Sequence, residues 1–324
     1  MKNRLLQKLA WALLLGVLLV LPHLLPNNYY RGVVNLSLIY AIVAMGLNFI
    51  YGYTGYISFA QAGFFGVGAY TSALLVVDAH WGFWSALPIA GLAAAACGVA
   101  IGIPALKLSS HYLAMATIGF GIIIQMVMQN WERLTHGASG VHDIPSITIG
   151  TYNVDSAVGQ YYFLLGFLAL AMFVTWAIDN SKLGRSFKAV REDEIAASSA
   201  GIDLTFTKVF SFALSAFFGG VGGSLYAHTS SYISPDTFSF DQSIVLFTMV
   251  LVGGAGTVCG PVIGAIGLTL APELLRFLKE YYMALVGVGI VLIMIYMPQG
   301  VVHLFSQDGR VGRWLQSVKQ RSTR

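Results

Sequence analysis

Between Leu47 and Tyr70 the chain groups Asn48, Thr54, Ser58 and Gln61 with five glycines (Gly52, Gly55, Gly63, Gly66, Gly68) and no charged residue. Amides and hydroxyls can hold a neutral or zwitterionic solute by hydrogen bonds, but they have no proton to give up near neutral pH. A second such place is Gly253 to Pro261, followed by Gly264, where Gly256, Gly260 and Gly264 recur every four residues. Thr117 adds a hydroxyl within another apolar run. Asn48, Gly55, Ser58, Gln61, Thr117 and Gly256 are therefore the candidates for contact with a solute. Groups that would do bond-making chemistry are missing. There is no phosphate-binding glycine loop with Lys, no H-E-x-x-H, no G-x-S-x-G and no paired-cysteine zinc spacing. Cys97 and Cys259 stand alone in apolar stretches and read as packing residues. The seven histidines are dispersed over interfaces and loops, where an interfacial role suffices. No metal, cofactor or enzymatic activity is expected.

The elements that position these residues must lie in lipid. Of 324 residues 56% are hydrophobic and 10% charged, whereas a water-facing domain needs roughly 25% charge. A membrane helix takes about 20 apolar residues. Runs of that kind cover 9–25, 33–50, 59–77, 84–104, 110–131, 160–179, 207–228 and 282–298, and 243–275 is either one long helix or two short ones. The retained run 9–25 lacks a signal-peptide cleavage site.

Fourteen of the eighteen Lys and Arg fall in the N-terminal segment, at Lys107, in 182–208 and in the tail. The net charge of +4 is thus explained by loops held on the cytoplasmic side, and no nucleic-acid partner is implied. Placing all four groups inside requires an even number of crossings. Splitting 243–275 gives ten, with both termini cytoplasmic. The expected fold is an all-α polytopic membrane protein with broken helices. Residues 1–300 form one transmembrane domain and 301–324 a basic cytoplasmic tail.

Irregular backbone at membrane depth survives only where protein or water satisfies it. The glycines of 52–68 favour a broken helix that serves a solute path. For 256–264, helix packing and a broken helix both remain open, and the pairs Gly98/Gly102 and Gly219/Gly223 read as packing. Almost no ionisable residue lies within the first seven spans, which argues against ion coupling.

The longest cytoplasmic loop, 180–206, is the most charged stretch. Leu183, Phe187 and Val190 share one helical face, and Arg191, Glu192, Asp193 and Glu194 give way to small residues ending at Gly201. A charged element followed by a small one suits entry into a partner's groove. The glycine-rich outer loop 132–159, with 229–242, offers a surface for an external partner.

These motifs together resemble the permease subunits of ABC importers for branched-chain amino acids, of the LivM type. The resemblance runs from about 33 to 300. It rests on the Leu47–Tyr70 and Tyr112–Thr117 segments, on Gly184–Ala197, and on Gly253–Ala265. It implies a single permease domain in a bacterial inner membrane, joined by a homologous second permease, two ATP-binding cassette subunits and a periplasmic substrate-binding protein. Arg191, Glu192, Asp193, Glu194, Ala196, Ala197 and Gly201 would then couple the chain to its ATPases. The chain departs from the pattern in three places. Ile195 stands where a glutamate precedes the alanine pair, Gln61 where many members carry His, and His136 within a glycine pair. A urea or short-amide permease of the same family is the nearest alternative. A membrane-embedded lipid-modifying enzyme is the alternative of another class.

Overall fold

The computed structural model describes residues 20–23, 25, 27–105, 110–149, 152–274, 287–292, 295, 297 and 300–302. The run 9–25 and the tail 301–324 lie almost wholly outside them, as does much of 282–298. Among the described residues five helices are long and apolar enough to cross a membrane: Asn28–Asn48 (α1) with its π-helical continuation to Tyr53, Phe83–Ala105 (α3), Ser110–Asn130 (α4), Ala157–Asp179 (α6) and Leu204–Ser230 (α9). Three shorter apolar helices are Gln61–Val77 (α2), Phe240–Gly253 (α10) and Gly260–Leu274 (α11). Outside them come a short helix at Glu132–Thr135 (α5) and the loop helices Lys182–Glu192 (α7) and Glu194–Ser199 (α8). A two-residue hairpin pairs β1 (Thr148–Ile149) with β2 (Tyr152–Asn153). The protein is a helical membrane protein with broken helices.

The run 243–275 is two helices, not one. Gly253 and Gly264 hold α10 and α11 so close that a side chain at either would meet backbone of the other helix. Pro261 falls in the first turn of α11, where its missing N–H leaves no bond unmade. The first break is shorter than the glycine pattern suggests. Regular helix resumes at Gln61, so the break covers the π-helical turn Phe49–Tyr53 and the residues from there to Ala60, and Gly63, Gly66 and Gly68 belong to packing. At Gly68 a Cβ would strike the backbone of Gly220, and at Gly66 it would meet Phe238 and Met128.

The centre of the bundle is α1, with 83% of its apolar window buried against 17% for α4. Helix α9 packs against α3, α2 and α1. Lipid is as apolar as leucine, so such contacts gain from close van der Waals approach rather than from expelling water. The small residues of α9 permit it. Gly223 faces the Phe65 carbonyl and Ala69, Gly220 faces Ala90, and Gly98 and Gly102 of α3 pack on Phe212, Ala216 and Val209.

Successive helices alternate in direction between two faces. On one, Tyr29 donates to Glu273 (2.9 Å), Gln129 to Asp236 (3.2 Å), and Val141 bridges Ile233. Loops 132–159 and 229–242 are thereby knit together. The opposite face carries α7 and α8, and Gly300 returns there against Gly254.

The closest helix contact sets an expectation. Gly68→Leu, which no side-chain movement can accommodate, should lower stability by about 1–3 kcal/mol or more, read as a fall in Tm of detergent-purified protein. Gly267→Leu, where nothing lies within 4 Å, should leave Tm unchanged.

Candidate functional site: two helix breaks and the loop that holds them

The two breaks meet. Helix α1 loosens into the π-helical turn Phe49–Tyr53, and the chain then runs without regular structure to Ala60. At Gly55 and Gly256 the backbone takes φ of +79°, a region closed to most side chains. Asn48 is fully buried and joins the breaks. Its Nδ2 donates to the Thr257 carbonyl (2.9 Å) and its Oδ1 accepts from the Gly256 N–H (2.8 Å). Thr257 Oγ1 donates to the Gly254 carbonyl and accepts from the Gly260 N–H, which starts α11.

The other solute candidates are also committed to backbone. Thr117 Oγ1 donates to Ala114 (2.8 Å) and accepts from the Phe59 N–H (3.1 Å), bracing the first break from α4. Ser58 accepts from the Ala60 N–H (3.4 Å). Gln61 is saturated. Its Nε2 reaches the carbonyls of Val43 (2.9 Å) and Ser215 (3.3 Å), and its Oε1 accepts from Ser215 Oγ (2.8 Å). Asn48, Gly55, Gly256, Thr117 and Ser58 therefore assemble around the breaks, while Gln61 ties α2 to α1 and α9. Each acts within this chain as a structural tie. Open surface lies instead on α4, where Met115, Ile122, Ile123, Met126 and Asn130 are exposed.

The loop between α6 and α9 is built by three caps. Ser181 accepts from the N–H groups of Leu183 and Gly184, Asp193 from those of Ile195 and Ala196, and Asp203 from that of Phe206. Phe187 and Val190 bury the apolar face of α7, with Phe187 edge-on to Phe49. Leu183 shares that face but is only half-buried. On α8, Ala197 is buried, Ala196 exposed and Ile195 80% exposed. Gly201 follows the end of α8, as its position predicts. Glu192 and Asp193 remain exposed.

Two contacts connect this loop to the first break, and neither is evident from spacing. Arg191 Nη1 donates to the Gly52 carbonyl. Glu194 accepts from Tyr56 Oη (2.5 Å) and from Lys208 Nζ (2.7 Å), and Lys208 lies over the Tyr56 ring (4.9 Å). Partial burial works to raise the Glu194 carboxyl, but the Lys208 and Tyr56 hydrogen bonds and the ammonium charge outweigh it and hold it below its ordinary value.

His228 departs from the interfacial role expected of the histidines. It is fully buried, Nδ1 against the Pro145 carbonyl (2.6 Å) and Nε2 against Ser72 Oγ (3.0 Å), which in turn meets Ser224 Oγ (2.7 Å). The carbonyl requires a proton on Nδ1, so neutral Nε2 accepts from Ser72. These bonds fasten the loop at Pro145 to α2 and α9.

A helical bundle of membrane spans, with paired breaks bonded to one polar loop, defines a polytopic membrane permease. The chain belongs to the family described as branched-chain amino acid transport system / permease component, whose model matches residues 29–295. It is 36% identical to the high-affinity branched-chain amino acid transport system permease protein LivM of Escherichia coli K12, over 90% of this chain and 75% of that one. The LivM of Salmonella typhimurium is 35% identical over the same shares. The LivH permease of Salmonella typhimurium is 28% identical over 83% of this chain and 92% of its own. No solved structure matches.

Two outcomes are expected. Asn48→Leu leaves the Gly256 N–H and Thr257 carbonyl unpaired, and should cost about 2–4 kcal/mol for the two orphaned groups, read as a lower Tm. The Glu194 carboxyl has a depressed folded pKa, so its stabilisation is complete above the ordinary carboxylate value near 4.5 and is lost as pH falls through the folded one. Acidification below pH 4.5 should therefore lower the protection factors of amides across 182–201, once exchange rates are corrected for their intrinsic pH dependence. Glu194→Gln should flatten that response.

Proposed function

We propose that this chain is a permease subunit of an ABC importer that carries branched-chain amino acids across a bacterial inner membrane. One observation carries the mechanism. The exposed tip of the 182–201 loop sits on an element bonded directly to the first helix break, which Asn48 ties to the second. A partner pressing on Ile195 and Ala196 therefore acts on broken helices, whose backbone moves more cheaply than that of an intact one. Two ATP-binding cassette subunits are that partner, and the ATP is hydrolysed there. A periplasmic substrate-binding protein docks on the knit outer loops 132–159 and 229–242.

The relatives named LivM and LivH support a pair of homologous permeases. The second permease covers the open face of α4, and the solute passes between the two. That face combines apolar side chains with the amides of Gln125, Gln129 and Asn130 and carries no charge. Such a lining suits a zwitterion with an apolar side chain. Ten crossings with both termini cytoplasmic fit the alternation of the helices and the return of Gly300 to the loop face. Residues 1–300 then form the permease domain and 301–324 a cytoplasmic tail.

The test is uptake of labelled leucine and labelled urea by cells with the chain, without it, and with Ile195→Asp/Ala196→Trp. Leucine uptake should fall to background without the chain, and urea should be unaffected. The double variant, altered only at exposed positions, should insert normally yet lose ATPase co-purification and uptake. Equal leucine uptake with and without the chain would remove the amino-acid assignment.

A further inference from the structure

Arg191 does more than line a docking surface. The end of a helix leaves its last carbonyls without partners. At the end of α1, the carbonyls of Ile50 and Tyr51 accept from the N–H groups of Tyr56 and Gly55. The Gly52 carbonyl is taken by Arg191 Nη1. A cation there also faces the negative end of the α1 dipole, and a guanidinium stays charged at any accessible pH.

The same side chain reaches the second break. A Cβ built on Gly256 would lie 2.8 Å from Arg191 Nη1 and 2.8 Å from the Gly52 carbonyl oxygen. A Cβ on Gly55 would lie 3.1 Å from Arg191 Cγ. The stem of Arg191 thus crosses the first break, and its head lies where the two breaks touch. Asn48 fastens one break to the other a turn away. Arg191 also stands two residues before the Asp193 joint between α7 and α8, and Glu194, just after it, grips Tyr56 on the far end of the first break.

We propose that Arg191 is the latch of the permease, a positioning residue that transmits displacement of the 182–201 loop to both helix breaks at once. The inference rests on the reading that an ATPase docks on α8, and adds where that motion goes. While the loop is seated, the Gly52 carbonyl is satisfied and the breaks are closed on each other. When α8 is drawn away, Arg191 leaves and both breaks are freed together, because Asn48 makes them one body.

Cys259 lies in the second break and is half-buried, so its alkylation by a maleimide reports opening. The experiment uses the assembled transporter in nanodiscs with Cys97→Ser, which leaves Cys259 as this chain's sole thiol, labelling being read on its own peptide. Nucleotide-free and ATP-vanadate states are compared. The parent should show a nucleotide-dependent rate. Arg191→Gln should label about tenfold faster without nucleotide, as for loss of one charge-assisted hydrogen bond, and should respond no further to nucleotide. Arg191→Lys, with charge but a single point donor, should fall between, and it decides the matter if the Gln variant does not assemble. A residue that only stabilised the fold would leave the nucleotide response in place. Parent-like dependence in Arg191→Gln overturns the latch, as does a parent rate indifferent to nucleotide. A parent that responds to nucleotide yet carries no leucine instead overturns the substrate reading and leaves the latch standing.

Discussion

A peptide group without a hydrogen-bond partner cannot rest in hydrocarbon, and this molecule breaks its helices twice inside a bundle that lipid surrounds. The amide of Asn48 meets that constraint. One side chain supplies both a donor and an acceptor to the second break from a position one turn before the first. The two irregular segments thereby satisfy each other instead of needing water. Gly52 and Gly256 must be bare for the approach, since a side chain at Gly52 would collide with Asn48 and with the Gly256 nitrogen. Remaining backbone groups go to Thr117, Ser58, Thr257 and, last, to Arg191.

That order of supply separates rigid from movable parts. The side chains of Asn48, Gln61 and Thr117, which make the bonds within the bundle, are buried. The side chains that bond from the loop are not. Arg191 and Glu194 work at a surface where water and partner proteins can replace them. Polar ties thus grow weaker toward the loop, and a modest force applied there can undo the last without disturbing the first. The His228–Ser72–Ser224 chain gives the opposite end a firmer character, because all three groups are buried and bonded.

Much of this was legible in the sequence. Apolar runs at lipid length located the five long helices described, 243–275 proved to be two helices as the parity of charges required, and the glycine clusters flagged both breaks. What spacing could not separate was two uses of one residue type. Gly52 and Gly55 shape a break, while Gly63, Gly66 and Gly68 only let helices approach, and both kinds follow one another in a single run. The backbone partners of Asn48 and Gln61 were likewise out of reach of spacing, because they lie about 150–200 residues away in the sequence. Arg191 was placed in the loop by its charge, but its reach to Gly52 depends on how α7 folds back over α1.

The helix that leads into the second break is short. At 14 residues α10 spans about 21 Å at 1.5 Å per residue, against about 30 Å of hydrocarbon. A helix of that length that starts at one interface ends short of the other. Either the membrane thins beside it or an aqueous recess meets the break from one side. The hydrophobic thickness beside the second break is then set by the protein and not by the lipids.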